Sequence, residues 1–399
     1  TESNPTSVEV ATHDSTLQFQ WAFDVTQSPQ LSSFSDEFII GNNFVKHLEW
    51  SPDGSCIISN SEDNVIRLFE VSQTNGSDTA TPMRSSLCVR PGGAVYDLKW
   101  FPKMNSQDIS SCCFATTSKD HPIHLWDAFT GQLRASYRYF NNLDEMSSAF
   151  CITFDYQREH LYCGLAKGEI GIFDISRPGR DPIASINNFS MSQRKKRQLQ
   201  TGIISCLRFQ LESTLFGAGC YDNSVAVYDN RDISQAAFLL YPQNTNGSRE
   251  GSGVTQIEFS SDGLYLFSAS RKSNSVLCWD LRNPSQILYR YWRNSSSNQH
   301  VLFHLSPPVS SLAVLASASQ DGKVLFYDLE GNLVNQLVAH HDVCGVVQFH
   351  PFINLLATGS GERKFTFAFD ESPTVARESV SDPCICIWSV PWRKTINDS

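Results

Sequence analysis

Positively charged side chains cluster in loops near the middle of this 399-residue chain. Only Glu169, Asp222 and Glu250 oppose them there, although the net charge of the whole chain is −10. Ammonium and guanidinium groups at this density bind phosphates. The sequence thus predicts a local basic surface on an acidic protein, and its cations are Lys167, Arg194, Lys195, Lys196, Arg197, Arg249, Arg271, Lys272 and Arg293.

Aromatic residues accompany these cations. Tyr291 and Trp292 directly precede Arg293, and Tyr139 and Phe140 stand in an earlier loop. Single-stranded RNA is bound in this way, because bases stack on flat rings while cations hold the backbone. The predicted RNA-binding residues are Lys167, Arg194, Lys195, Lys196, Arg197, Arg271, Lys272, Tyr291, Trp292 and Arg293. Two alternatives stay open: residues 194–197 also fit a nuclear-import signal, and the aromatic rings could pack inside the fold.

No catalytic motif is found in the sequence. It lacks Gly-x4-Gly-Lys-Ser/Thr, His-Glu-x2-His and Gly-x-Ser-x-Gly. His121 and His124 would lie on opposite faces of a strand, so they could not chelate one metal. The twelve cysteines lack the paired spacing of a zinc site, which predicts buried reduced thiols and an intracellular protein. The sequence therefore predicts a non-enzymatic protein without a cofactor or a metal.

The elements that must position these loops are repeated strands. Seven times a short apolar strand ends in an aromatic residue, and in six cases an acid follows. The separations run from 47 residues (126 to 173) to 61 residues (327 to 388), which is typical of a four-stranded sheet with its loops. We therefore predict an all-β fold, a seven-bladed WD40 β-propeller. The terminal aromatics are Phe69, Trp126, Phe173, Tyr228, Trp279, Tyr327 and Trp388.

The predicted boundaries follow from composition and alternation. Residues 1–16 are rich in Thr, Ser and Asp, which predicts a flexible N-terminal tail. Apolar and polar residues alternate in 17–25, so this segment is predicted to close the ring as the outer strand of the seventh blade. The propeller is predicted to span 17–392, with a loop insertion at 361–383 and a C-terminal tail at 393–399.

Propeller topology predicts where the loops emerge. Loops that join blades, and loops that precede each terminal strand, emerge on one face, called here the first face. The predicted RNA-binding residues belong to such loops. Four acids that stand just before terminal aromatics are predicted to be structural hydrogen-bond acceptors, and His340 is predicted to belong to the core. The four acids are Asp63, Asp120, Asp222 and Asp321.

Several local motifs are more specific than the repeat. They include Pro122-Ile-His-Leu-Trp-Asp-Ala-Phe-Thr-Gly131-Gln-Leu-Arg-Ala-Ser136, Asn142-Leu-Asp-Glu145, Leu161-Tyr-Cys-Gly164, Arg177-Pro-Gly-Arg-Asp181, Gly202-Ile-Ile-Ser-Cys206 and Ser268-Ala-Ser-Arg-Lys272. Together they resemble the WD40 domain of the telomerase Cajal body protein 1 family. The resemblance runs from about Asn43 to Trp388.

The resemblance implies a non-enzymatic scaffold. Members of that family bind the CAB box of small Cajal-body RNAs, including telomerase RNAs, and direct the localisation and assembly of these RNPs. Arg271 and Lys272 fall in a matching motif, so they become candidates for the RNA face. We expect H/ACA RNP proteins as partners, no DNA, no membrane, a monomeric chain, and a location in the nucleus and Cajal bodies and also in the cytoplasm. The alternative is a protein-only WD40 adaptor in a nuclear complex.

Overall fold

Short strands make up the computed structural model, which describes residues 20–38, 43–71, 80–141, 143–155, 157–186, 200–308, 313–363 and 385–395. The described ranges contain no α-helix, and 3-10 turns lie at Ile109–Ser111 and Ala166–Gly168. In chain order the strands are β1 (Gln20–Phe23), β2 (Gln30–Ser35), β3 (Val45–Trp50), β4 (Cys56–Ser61), β5 (Ile66–Glu70), β6 (Thr81–Pro82), β7 (Ser85–Val89), β8 (Val95–Trp100), β9 (Cys113–Ser118), β10 (Ile123–Asp127), β11 (Leu133–Tyr137), β12 (Tyr139–Phe140), β13 (Met146–Ser147), β14 (Cys151–Asp155), β15 (His160–Gly164), β16 (Ile170–Asp174), β17 (Ala184–Ile186), β18 (Ile204–Phe209), β19 (Leu215–Cys220), β20 (Ser224–Asp229), β21 (Phe238–Leu240), β22 (Val254–Phe259), β23 (Tyr265–Ser270), β24 (Ser275–Asp280), β25 (Ile287–Trp292), β26 (Phe303–Leu305), β27 (Leu315–Ala318), β28 (Lys323–Tyr327), β29 (Leu333–Val338), β30 (Cys344–Phe349), β31 (Leu355–Ser360), β32 (Ile385–Ser389) and β33 (Trp392–Thr395).

The strands pair into seven antiparallel blades. Blade one contains β3, β4, β5 and β7, and blades two to six contain β8–β11, β14–β17, β18–β21, β22–β25 and β26–β29. Blade seven contains β30, β31, β32 and β2, with β6 added at its edge. The prediction of a seven-bladed β-propeller is confirmed.

Apolar side chains fill the space between neighbouring blades. Tyr162 of blade three packs against Phe209 of blade four, with ring centres 4.9 Å apart. Most terminal aromatics are buried in the same layers, and Phe69 and Phe173 are 0% exposed. The repeated aromatic is therefore a packing requirement, because a large ring fills the gap between twisted sheets.

Hydrogen bonds also join the first strand of each blade to the first strand of the next. In each bond at least one partner is a side chain, so the contact lies outside the sheet ladders. The bonds are Trp100 Nε1 to Glu49 O (3.3 Å), Ile152 N to Asp97 Oδ2 (2.9 Å), Cys151 Sγ to Ile204 O (3.3 Å), Ser205 Oγ to Val254 O (2.5 Å), Phe303 N to Gln256 Oε1 (2.9 Å), Phe349 N to His304 Nδ1 (3.3 Å) and Trp50 N to Gln348 Oε1 (2.9 Å).

An N-terminal strand closes the ring, as predicted, but this strand is β2 rather than the predicted segment 17–25. β2 pairs with β32, and Phe34 lies opposite Cys386. The part of 17–25 that is described contains β1, which pairs with β33, so 393–395 form a strand rather than a tail. Alternation reveals that a segment is a strand but does not identify its partner, which explains the error.

The outer edge of β2 is covered by the connection between β5 and β7. β6 runs parallel to β2, and Ser33 Oγ lies 2.9 Å from Thr81 Oγ1. Glu37 accepts hydrogen bonds from the backbone N–H and the hydroxyl of Ser85, each at 2.7 Å. These contacts tie blade seven to blade one at the joint where the ring closes.

Two deletions separate the roles of β1 and β2. Removing 1–23 takes away the pairing with β33 and should lower the melting temperature by a few degrees. Removing 1–36 should cost on the order of 4 kcal/mol of unfolding free energy or more, because it exposes the β32 edge and deletes Phe34. Thermal unfolding of both proteins checks this, and equal melting temperatures would refute closure by β2.

Candidate nucleic-acid interface

The first strands of the blades surround a central channel. A cavity of about 900 Å³ lies in this channel and reaches the first face, where its opening is called here the channel mouth. Residues at the starts of first strands and in first-face loops line its rim. They include Phe44, Lys46, Tyr96, Phe150, Tyr221, Arg271, His300 and Arg363.

A repeated backbone irregularity shapes this rim. In five blades the pairing of the first strand with the second shifts by one residue, so the second residue of the first strand forms a β-bulge. A bulge leaves its residue outside the ladder and redirects its side chain. All five bulged residues line the cavity, and Lys46 and Tyr96 have the largest side chains among them. The five are Lys46, Tyr96, Ser205, Thr255 and Gly345.

Tyr96 forms an aromatic platform on one side of the mouth. Its side chain is 39% exposed, and its ring lies on Phe150 with centres 5.2 Å apart and planes inclined by 35°. Burial and the charge of Asp120 raise the pKa of Tyr96, so the phenol is neutral. Sequence reasoning missed both rings, since neither stands beside a cation in the sequence.

Arg271 lies at blade five, on another part of the rim. Its guanidinium carbon is 4.0 Å from the centre of the Tyr221 ring, and Nη2 donates to the Tyr221 hydroxyl. His300 Nε2 is 3.4 Å from that hydroxyl. Burial, together with Arg271, lowers the pKa of His300 to about 4. His300 is therefore neutral near pH 7 and can accept a hydrogen bond from its neighbours.

The charges in the cavity are unevenly balanced. Four of the five cations that line it are paired with carboxylates, whereas Arg271 has no carboxylate within an ion-pair distance among the described residues. A partly exposed guanidinium without a counter-ion is suited to bind an oxyanion. The four paired contacts are Lys46–Glu62 (3.6 Å), Arg363–Glu62, Lys99–Glu49 (3.2 Å) and Arg208–Glu258 (2.8 Å).

Four of the predicted RNA-binding residues are accessible on the first face. Arg271 lines the mouth, and Lys272 is exposed next to it with φ of 53°. Lys167 is exposed in the loop before β16. Trp292 is the last residue of β25; it is 57% exposed and does not line the cavity. The predicted residues in 194–197 lie outside the described residues.

Tyr291 and Arg293 were wrongly predicted, because both are buried. Tyr291 is 0% exposed, and its hydroxyl donates to Leu329 O at 2.7 Å. Arg293 is 5% exposed, and Nη1 donates to Val301 O at 2.7 Å. Burial lowers the pKa of Arg293 to about 10. Alternation along β25 turns Tyr291 inward and Trp292 outward, which sequence proximity to a cation does not reveal.

Arg293 is one of several buried polar residues in the segments that join blades. Each such residue precedes the first strand of its blade and contacts a hydroxyl within the blade, and His340 does so as predicted. Different side chains therefore perform one structural task. The contacts are His340 Nε2 with Thr358 Oγ1 (2.7 Å), Gln200 Nε2 with Ser224 Oγ (3.2 Å), Glu250 Oε1 with Ser273 Oγ (2.7 Å) and Arg293 Nη1 with Ser317 Oγ (3.4 Å).

The described residues hold no group of three or more His, Cys, Asp or Glu side chains placed to bind a metal ion. Eleven cysteines are described, and all are free thiols. Among the helical turns of the described ranges, none is long and apolar enough to cross a membrane.

Fold and repeats define a WD-repeat β-propeller, and the family profile described as "WD domain, G-beta repeat" matches residues 33–70 and 242–280. The chain is a homologue of proteins named telomerase Cajal body protein 1. It is 36% identical over 360 residues to the protein of Rattus norvegicus and 34% identical over 358 residues to that of Homo sapiens. It is 33% identical over 336 residues to the Drosophila melanogaster protein named as a homolog.

These alignments cover 86%, 86% and 81% of this chain. They cover 64%, 62% and 58% of the three relatives, so the chain spans less than two thirds of their length. The family resemblance inferred from the sequence motifs is confirmed.

Replacing Arg293 tests whether it is structural. Arg293→Ala should lower the free energy of unfolding by about 3 kcal/mol, because it leaves the Val301 carbonyl without its donor and opens a cavity. Urea unfolding measures this, and Arg282→Ala, which removes an exposed arginine paired with Asp280, is the control and should change stability little. Equal stabilities of the two variants would contradict the assignment.

The half-buried His304 predicts how stability depends on pH. Burial and Arg208 lower the pKa of His304 to about 3, whereas the unfolded chain binds the proton near 6.5. Stability should therefore fall as pH drops below 6.5, by at most about 1.4 kcal/mol per pH unit for this residue. Urea unfolding at pH 7, 6 and 5 should show a shallower loss for His304→Gln, and an unchanged slope would refute a neutral His304.

Proposed function

We propose that this chain is a non-enzymatic RNA-binding scaffold that recognises the CAB box of small Cajal-body RNAs, telomerase RNA among them. In this role it directs the localisation and assembly of their RNPs. The observation that carries the proposal is the channel mouth, where Arg271 lacks a carboxylate partner among the described residues and an aromatic ring is accessible. RNA binding uses this combination, since cations hold phosphates and rings stack on bases.

The names of the relatives support the cellular context. They associate those proteins with telomerase and the Cajal body, and the similarity covers 86% of this chain. A location in the nucleus and in Cajal bodies is part of the proposal. H/ACA RNP proteins are the partners expected there, and the remaining loops and outer strands of the ring offer surfaces for them.

The proposed RNA contact predicts a change in salt dependence. Arg271→Glu combined with Lys272→Glu should weaken binding of a CAB-box RNA hairpin. For each phosphate that the variant no longer holds, the slope of log K against log[salt] should decrease by about 0.7. The matched control, Arg231→Glu with Arg282→Glu, reverses two exposed arginines in loops that follow terminal strands, and it should bind as the wild type does. Both proteins should keep the wild-type melting temperature.

A protein-only adaptor is the second candidate, because an unpaired guanidinium also binds a peptide carboxylate. Purification from nuclear extract with and without nuclease separates the two functions. An RNA-binding scaffold should co-purify with H/ACA-type RNA and lose RNP proteins after nuclease treatment. Recovery of the same partners without RNA, and identical salt slopes for the two charge-reversal variants, would favour the adaptor.

A further inference from the structure

We propose that the RNA crosses the channel mouth, with one unstacked base lying on the Tyr96 ring and a backbone phosphate held by Arg271. This inference rests on the proposed function and specifies its binding site. It assigns to Tyr96 and Phe150 a role in base recognition and places the RNA path at the centre of the ring rather than along its outer strands.

The repeated bulge does not need a large side chain. Ser205, Thr255 and Gly345 occupy the same bulged position as Tyr96 in other blades. The Ser205 and Thr255 hydroxyls bond to backbone carbonyl groups nearby, and glycine has no side chain at all. The backbone feature therefore forms without a large residue, so folding does not require a tyrosine at position 96.

The Tyr96 ring is held in place before any ligand binds. The bulge fixes the direction of Tyr96, and Phe150 supports one side of its ring at 5.2 Å. Asp97, the next residue, is anchored because its carboxylate accepts a hydrogen bond from Ile152 N at 2.9 Å. A ring held in this way loses little conformational entropy when a base stacks on it.

Arg271, which has no carboxylate partner in the part of the chain that the structure describes, lies in the same cavity. The Arg271 guanidinium lies over the Tyr221 ring, and both residues line the channel mouth together with Tyr96. Trp292 is the more exposed ring, at 57%, but it ends an outer strand and does not line the cavity. A base removes more surface from water in a concave site than on an outer strand, which favours the mouth.

Affinity measurements on matched aromatic variants test the inference. The probe is a fluorescently labelled RNA hairpin with a CAB box in its loop, and binding is followed by anisotropy at fixed salt. Tyr96→Ala should weaken binding by about five- to 150-fold, the range of one base–aromatic stack. Tyr96→Phe should restore near wild-type affinity, because the ring and not the hydroxyl carries the contact. The control, Phe129→Ala, removes a ring that is 57% exposed in the turn after β10, and it should change affinity less than twofold. Trp292→Ala tests the alternative path along the outer strands.

An abasic scan of the hairpin loop identifies the contact directly. One abasic position should weaken wild-type binding as much as Tyr96→Ala does, and combining the two changes should weaken binding no further. Melting temperatures of the variants show that they remain folded, and Phe150→Leu gives a second, milder variant that should weaken binding.

The outcomes separate this inference from the proposed function. If the wild type does not bind the hairpin, the proposed function fails. If the wild type binds and Trp292→Ala weakens binding while Tyr96→Ala does not, the RNA path runs along the outer strands and the inference is overturned. Release of a protein partner with unchanged RNA affinity in Tyr96→Ala would make the mouth a peptide site and would also overturn it.

Discussion

Closure of the ring between blade seven and blade one is the constraint on which the rest of the structure depends. Each blade buries its faces only against its neighbours, so an open ring would expose two apolar faces and a sheet edge. The chain meets this requirement by pairing β2 with β32 and by covering β2 with β6. Hydrogen bonds at every joint then hold the first strands in register around the channel.

That closed ring also determines what the channel mouth can present. Side chains of Asp97, Gln256 and Gln348 are used to join blades, and most cations of the cavity neutralise carboxylates. Among the bulged residues, Ser205 joins blades through its hydroxyl and Gly345 through its carbonyl, which accepts a hydrogen bond from Leu302 N at 2.8 Å. Lys46 and Tyr96 can therefore be selected for a ligand without loss of the fold. In this way the scaffold and the proposed binding site occupy alternate residues of the same strands.

Repetition made much of this structure predictable. The seven terminal aromatics predicted the blades, and the motif that ends at Lys272 predicted the exposed cation beside Arg271. The burial of Tyr291 and Arg293 could not be predicted in this way. A single step along the chain separates a buried side chain from an exposed one, since Trp292 is exposed between these two buried residues. The bulges did leave a signal: buried residues stand three apart at the start of first strands, as in Val45 with Leu48 and Val95 with Leu98. Strict alternation would place them two or four apart.

Binding of RNA at the channel mouth is tested most directly by photocrosslinking. The wild-type protein would be irradiated with a CAB-box hairpin that carries 4-thiouridine in its loop, and the crosslinked peptides would be identified by mass spectrometry. We predict crosslinks in the segment 92–100, which contains Tyr96, and in the loop that contains Arg271. Crosslinks confined to the outer strands, around Trp292, or to the opposite face, around Arg231 and Arg282, would contradict an RNA site at the mouth.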